Sequence, residues 1–450
     1  MKKQSNYNIW VEKDGKHILY NSLSNRNIVF RDDEVECIKY YLDNLSEFED
    51  NYPEISKRLE QLGFICNSSF NELDAIIYNN RKEVFGNKEY RLTINPTLQC
   101  NYKCWYCCVE DAHTKYEQRR MDDPTIRKVK KHIKYMLTKE RITKLGLDWF
   151  GGEPLMYFNE VVFPISKYGL RISQENNVPF SNSVTTNAYF INDEMIEKMN
   201  KVKLTSFQIP IDGCESKHNK VKNMGGVGYY KKTLKTINSI CERIDNASVI
   251  LRVNYDKQTL QNISSVIDDI NFANRNKVFV DFQRVWQVPL NVDENGNNEL
   301  LLKAKQDFED AGFHTLNFMY SRKQNKCCYA DSFYHRVINY DGKVFKCSAR
   351  DYADELSIGS IGKNGEMILN HNILSVMFSD IPFRNEKCLN CKILPICYGP
   401  CIQNYYDAKI GKGIIRCRYD CTEVSFEKYV INKAMRELDL LKEGQKTYLS

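Results

Sequence analysis

Cys100-Asn101-Tyr102-Lys103-Cys104-Trp105-Tyr106-Cys107 places three thiols at C-x3-C-x2-C spacing on one short loop. It follows a β-type run, Arg91 to Ile94, closed by Asn95-Pro96. Three thiolates on one loop suit three irons of a cubane [4Fe–4S] cluster, which normally takes four. The fourth iron would stay open to something that is not protein. A zinc knuckle and reduced cysteines packed as small hydrophobes are the competing readings. Structural zinc usually uses paired C-x2-C halves, and here the first gap is three.

The rest of the composition narrows the class. A chain of 450 residues suggests two or three domains. No apolar region follows Met1-Lys2-Lys3-Gln4-Ser5-Asn6, and no run approaches the ~18 apolar residues of a membrane helix. No membrane partner and a cytoplasmic location are expected. The net charge of +6 is too mild for a nucleic-acid partner, and Lys128 to Lys134 reads as a solvated helix face. Seventeen cysteines without an export signal are the anomaly. A disulfide scaffold would be short and secreted, whereas clustered cysteines in a reducing compartment mean metal or cluster ligands. Most lie at 100–108 and 327–421. Cys37, Cys66, Cys108, Cys214 and Cys241 are scattered and are expected to be buried structural thiols.

Residues 1–85 open with a hairpin pattern, Tyr7 to Val11 and His17 to Tyr20 around Lys13-Asp14-Gly15. Helical periods at Val35 to Leu42 and Ile55 to Leu62 follow, and Phe64-Ile65 reads as a returning strand. This layout suits a winged-helix-like module, or else a plain cap on the next domain. Across 86–290, β-type runs at Tyr90–Ile94, Leu145–Phe150, Ser183–Thr186, Phe207–Ile211, Val249–Val253 and Val278–Phe282 alternate with helical patterns. The helical stretches are Asp123–Thr138, Val161–Ser173, Asp193–Met199, Tyr230–Arg243 and Leu260–Phe272. The alternation predicts an α/β fold with a parallel sheet, a barrel or partial barrel whose chemistry sits at the strands' C-terminal ends. Gly151-Gly152-Glu153-Pro154, Thr185-Thr186-Asn187, Asp212-Gly213 and Arg252-Val253-Asn254 all fall at such ends. Each alone reads equally well as a strand-end cap or surface ion pair. Gly225-Gly226-Val227-Gly228 lacks the Lys-Ser/Thr of a phosphate loop and reads as a plain loop.

The cysteine loop, with Tyr106 before its third cysteine, resembles that of the radical S-adenosylmethionine (SAM) enzymes. The alternating units are similar to that family's open six-strand barrel, a partial (β/α)6 TIM-type barrel. The resemblance implies that Cys100, Cys104 and Cys107 hold a [4Fe–4S] cluster whose open iron binds the SAM amino and carboxylate groups. One electron then cleaves SAM to methionine and a 5′-deoxyadenosyl radical. Gly151, Gly152 and Glu153 match the family's GGEP motif, whose backbone meets the SAM amino group. Thr186, Asn187, Asp212 and Asn254 are placed near the ribose or substrate, and Arg252 suits the SAM carboxylate.

Residues 291–450 read as a polar linker, turn-rich at Asn291 to Asn298, with a helix at Leu300 to Asp310 and then a second constellation. Cys328, Gly342 and Cys347 precede C-x2-C-x5-C-x3-C, which is Cys388, Cys391, Cys397 and Cys401. Arg336–Asn339 and Lys343–Lys346 flank a hairpin turn, and Cys417 precedes a final helix, Glu423 to Leu441. This order resembles the SPASM/twitch domain of radical SAM peptide maturases, against a zinc ribbon. The resemblance implies two auxiliary [4Fe–4S] clusters, three clusters in all. Cys328, Cys347 and Cys401 would hold the nearer one; Cys388, Cys391, Cys397 and Cys417 would hold the distal one. Cys327 and Cys421 are adjacent alternatives. The fourth ligand of the nearer cluster is then Cys327, Cys421 or the substrate itself.

By resemblance, the chain is a maturase acting on a ribosomally made precursor peptide. Its leader would add a strand to the first domain. A flavodoxin- or ferredoxin-type donor would supply the electron, and the product would be a thioether, carbon–carbon or carbon–oxygen crosslink. The runner-up is an anaerobic sulfatase maturase making formylglycine. That group usually has an Asp directly after the cysteine of G-x4-C, where this chain has Ser348, and it lacks a domain like 1–85. A non-catalytic iron–sulfur electron-transfer or peptide-binding protein, or a zinc-binding interaction protein, are the readings from other classes. No catalytic base stands out.

Overall fold

Apolar and polar residues alternate along six runs in the middle of the chain, and each run forms a strand that buries its apolar set. The computed structural model describes residues 1–13, 15–109, 119–285, 287, 294–316, 328–349, 352–379, 381–415, 417, 430–431 and 434–435. The described residues fall into two units.

The larger unit comprises those among Asn87–Ser321 and Tyr329–Val376. Its strands are β1 (Glu89–Ile94), β2 (Lys144–Trp149), β3 (Phe180–Thr185), β4 (Leu204–Ile211), β5 (Ser248–Tyr255), β6 (Val278–Arg284), β7 (His314–Leu316), β8 (His335–Ile338), β9 (Lys343–Phe345), β10 (Gly359–Ile361) and β11 (Met367–Leu369). They form one sheet in the order β7-β6-β5-β4-β3-β2-β1-β8-β9-β10-β11. Pairing is parallel from β7 through β1 to β8, and β8 to β11 form an antiparallel meander. The hairpin expected at 336–346 is the β8–β9 pair, but β8 also lies parallel to β1, placing Val337 opposite Thr93.

Parallel strands need crossovers, and helices supply them. They include α1 (Asp123–Tyr135), α2 (Phe163–Glu175), α3 (Asp193–Lys201), α4 (Glu215–Val221), α5 (Tyr230–Arg243), α6 (Lys257–Asn262) and α7 (Glu294–Asp310). Asp122, Asn192 and Asp256 cap α1, α3 and α6 through their side chains. Leu147, Trp149, Phe207, Ile209, Leu251, Val253 and Val280 are buried on the apolar face. The alternate residues on the other face include many polar ones, with Pro210, Ile250 and Phe279 among them. There Asp148 accepts hydrogen bonds from Arg91 and Ser183, and Gln283 Nε2 donates to Asp281 at 2.8 Å.

Two expectations change here. The helix foreseen over Leu260–Phe272 is α6 followed by 3₁₀ turns at Ile263–Val266 and Phe272–Lys277. Ser265 donates to the Asn262 carbonyl and Ser264 to Asp307, side-chain bonds that compete with a continuing helix. Helix α7 begins at Glu294, inside the stretch read as turn-rich.

The smaller unit holds the described residues among Met1–Gly86, Arg322–Cys328 and Met377–Ser450. Asn8–Lys13, Lys16–Asn21 and Arg26–Arg31 form a three-stranded antiparallel sheet; the third strand had no clear sequence signal. Helices Asp32–Asp43 and Pro53–Gln61 pack Ile38, Leu42 and Leu59 against Leu19, Phe48 and Phe64. Lys2–Gln4 pairs with Ile65–Asn67. Tyr7 and Ile76 share a core with Phe383, Leu394 and Tyr398, so both ends of the chain build this unit. The final helix expected at 423–441 falls outside the described residues, except 430–431 and 434–435.

Candidate functional site

The three-cysteine loop is held by backbone from the next strand. Gly152 N donates to Thr97 O at 3.1 Å and Glu153 N to Gln99 O at 2.7 Å. The approach leaves no room for side chains. A Cβ on Gly151, whose φ is +116°, would lie 2.3 Å from Thr97 O; one on Gly152 would lie 2.0 Å from Gln99 O. The Gly-Gly pair thus packs against the segment that carries Cys100.

Glu153 locks a third strand end to the first two. Its carboxylate is 1% exposed and accepts from Leu155 N at 3.0 Å, Thr186 Oγ1 at 2.7 Å and Asn187 N at 2.7 Å. Burial pushes its pKa up to about 7 against the pull of those hydrogen bonds. Asn187 Nδ2 then reaches Asn101 Oδ1 at 2.8 Å and the Cys100 sulfur at 3.7 Å. Tyr102 N also donates to Cys100 Sγ, at 3.4 Å.

Tyr106 faces β4 and β5. Its hydroxyl donates to Asp212 Oδ1 and accepts from Asn254 Nδ2 at 3.1 Å. Arg252, two residues earlier on β5, donates from Nε to Asn254 Oδ1 at 3.1 Å and lies in register with Asp281. The structure therefore brings Cys100, Cys104, Cys107, Tyr106, Gly151, Gly152, Glu153, Thr186, Asn187, Asp212, Arg252 and Asn254 into one connected network.

Sequence reading missed Lys222, which follows α4. Its ammonium lies 3.3 Å from Cys104 Sγ, 3.0 Å from Tyr106 Oη and 3.2 Å from Asp212 Oδ2. Burial pushes Lys222 down, but Asp212, Tyr106 and Cys104 outweigh it, and its pKa stands well above the usual lysine value. No motif in the sequence marks it. The Gly-rich loop is a two-residue hairpin, Asn223–Met224 against Val227–Gly228, and Asn101 Nδ2 reaches its Met224 sulfur at 3.6 Å.

Burial raises the Cys100 thiol to about 12 and the Cys107 thiol to about 11. Among the described residues, no three His, Cys, Asp or Glu side chains converge on one metal ion. In a cubane each thiolate takes a different iron. The three-thiol loop, with an amide and an ammonium on its sulfurs, fits a cluster.

In the smaller unit, Cys388 and Cys397 lie in the short helices Glu386–Leu389 and Leu394–Cys397, Cys391 lies between them, and Cys401 is the N-cap of the helix Ile402–Lys409. Cys391 N donates to Cys388 O at 3.1 Å and Gly399 N to Cys397 Sγ at 3.3 Å. Burial raises the Cys388 thiol, and Cys391 and Cys417 nearby add to the shift. Cys328 belongs to this unit, whereas Cys347 follows β9 in the larger one. Cys327 and Cys421 lie outside the described residues. Of the five scattered cysteines only Cys241 is buried; Cys37 is exposed, and Cys66, Cys108 and Cys214 are half-buried.

Residues 94–270, from the end of β1 past α6, match the family model of the Radical SAM superfamily. The chain carries a radical SAM domain. That superfamily consists of enzymes that bind a [4Fe–4S] cluster and SAM. Among solved structures, native anSMEcpe with bound AdoMet is similar at 17% identity and a TM-score of 0.58, over 79% of this chain and 99% of that one. Its complex with AdoMet and the Cp18Cys peptide gives 16% and 0.56 over the same shares. Streptococcus suis SuiB bound to precursor peptide SuiA gives 17% and 0.49, over 92% of this chain and 99% of that one. At these identities the likeness is one of fold. No curated protein matches the chain.

Proposed function

We propose that this radical SAM protein is a SPASM-type peptide maturase that installs a crosslink in a ribosomally made precursor. The observation that carries the radical chemistry is the three-thiol loop held by Gly151-Gly152 backbone, with Asn187 and Lys222 on its sulfurs. When bound, the cluster and SAM supply reductive cleavage to methionine and a 5′-deoxyadenosyl radical.

The chain's own residues have four tasks. Cys100, Cys104 and Cys107 hold three irons and leave the fourth for SAM. Gly151, Gly152 and Glu153 fix the distance between that loop and the β2 and β3 ends. Tyr106, Asp212, Asn254 and Arg252 offer donors and acceptors to the ribose and carboxylate. The sheet face that carries Arg91, Asp148, Arg252 and Asp281 suits an amide-rich peptide rather than an apolar ligand. We read the sheet as the partial barrel around that substrate. The cysteines of 328–417 are read as ligands of two auxiliary clusters that take the electron left when the crosslink closes. The 1–85 sheet is read as the winged-helix-like dock for the leader, and a flavodoxin- or ferredoxin-type protein as the donor. The peptide-bound neighbour of the same fold supports the substrate class. Ser348, whose hydroxyl lies 2.9 Å from the Tyr329 hydroxyl, offers no carboxylate base for the formylglycine reading.

The test is anaerobic reconstitution followed by iron and sulfide analysis, with electron paramagnetic resonance (EPR) of the reduced protein with and without SAM. The expected result is about twelve irons per chain and a signal that shifts with SAM, with 5′-deoxyadenosine formed under reduction. Iron-free protein, or a cluster indifferent to SAM, would overturn it.

A further inference from the structure

Lys222 is 4% exposed, and a lysine is almost never that buried without a partner. Its partner by charge is Asp212, whose Oδ2 lies 3.2 Å away. That contact is electrostatic only, because Asp212 Oδ2 has no directed hydrogen bond. The ammonium's donors point instead at Tyr106 Oη, 3.0 Å away, and at the Cys104 sulfur, 3.3 Å away. A structural ion pair would not need a donor on the sulfur. The chain holds this aim locally: Lys222 N donates to His218 O at 2.7 Å, and the hairpin at 223–228 follows at once. His218, wholly buried, accepts from Asp212 N at 3.4 Å, which ties α4 to the end of β4.

We propose that Lys222 sets the reduction potential of the cluster held by Cys100, Cys104 and Cys107, by placing a positive charge and a hydrogen bond on the Cys104 thiolate. This deepens the radical SAM reading and rests on it. Reduction adds one negative charge to the cluster, and hydrogen bonds to sulfur and nearby cations favour the more negative state. Lys222 therefore makes the cluster easier to reduce. It is a positioning residue for charge and contributes no ligand.

The experiment is a potentiometric titration of the SAM-responsive EPR signal in the reconstituted full chain, comparing wild type with Lys222→Met and Lys222→Arg. At equal iron content, Lys222→Met should show an about tenfold lower ratio of reduced to oxidised cluster at the wild-type midpoint, a shift of about 59 mV to more negative potential for one electron. Lys222→Arg should stay near wild type. Lys222→Gln is neutral but keeps a donor toward Tyr106; it must shift as the methionine does, and it covers failure of that variant to fold. An unchanged midpoint in the neutral variants overturns the proposal, as does an equal shift in Lys222→Arg. Loss of iron in both neutral variants but not in Lys222→Arg also overturns it, in favour of a structural role. A wild type without a SAM-responsive cluster sinks the radical SAM reading together with it.

Discussion

Two cysteine sites in this chain use the same residue type and are built in opposite ways. At Cys388–Cys401 the cysteines' own backbone hydrogen bonds are local, although Lys392 between them donates to Asn8 O at 2.8 Å and accepts from Ser22 Oγ. Cys388 N reaches Asn385 O, Cys391 N reaches Cys388 O, and Cys397 N reaches Ile393 O. At Cys100–Cys107 the anchors are remote. Asn187 and Lys222, which touch the first two sulfurs, lie 87 and 118 residues along the chain from them. The backbone of the second site's cysteines is set by turns, whereas the first loop's sulfurs meet their partners only once β1 to β4 are side by side. The site proposed to hold SAM is the one tied to the sheet, where rigid strand ends fix distances.

The largest expected effect breaks the first site alone. Gly152→Ala sets a Cβ against the Gln99 carbonyl, which is backbone and has little room to move. It should abolish the SAM-responsive EPR signal and 5′-deoxyadenosine formation, while removing only about four irons per chain. Loss of nearly all iron would show that the two sites do not assemble independently. The converse variant is Cys391→Ala. It should also cost about four irons, yet leave the SAM-responsive signal and SAM cleavage in place. If SAM cleavage fell with it, the two sites would not be separable.

Glu153→Gln probes the lock between the strand ends. The carboxylate accepts three hydrogen bonds, and an amide turns one of its oxygens into a donor facing a donor. A stability loss of about 2–4 kcal/mol in urea unfolding is expected. A loss below about 0.5 kcal/mol would mean that the lock is not needed.

The smallest effect is on pH dependence. Burial holds His132 and His218 near 4 and His335 well below its usual value. These histidines stay neutral when folded, so their contribution is complete above about 6.5 and is lost as pH falls from there toward 4. Glu153 acts oppositely. Its pKa is raised to about 7, so its unfavourable contribution fades as pH falls from 7 toward 4.5. Wild type should therefore lose stability from pH 7 to 5, and Glu153→Gln should lose about 2 kcal/mol more over the same interval. Equal slopes in denaturant titrations would place the Glu153 pKa near its ordinary value.

The strands and cysteine spacings were readable because they rest on local rules: period-two alternation, Gly-Gly at a strand end, ligands a few residues apart. Six β-type runs became β1 to β6 with ends shifted by a few residues. The side-chain bond from Ser264 to Asp307 was harder to foresee, because its partner lies 43 residues away and meets it only in the folded chain.

The sequence by itself determined the α/β alternation, the three-thiol loop and the order of motifs along the strand ends. Only the tertiary structure decided that Glu153 is a buried lock and that β8 to β11 extend the same sheet as β1. It alone showed Lys222 resting on the Cys104 sulfur. The physical reason is range. Backbone propensity and apolar periodicity act over a few residues. A buried carboxylate or ammonium is defined by partners tens to hundreds of residues away, which meet only after the sheet has closed around them.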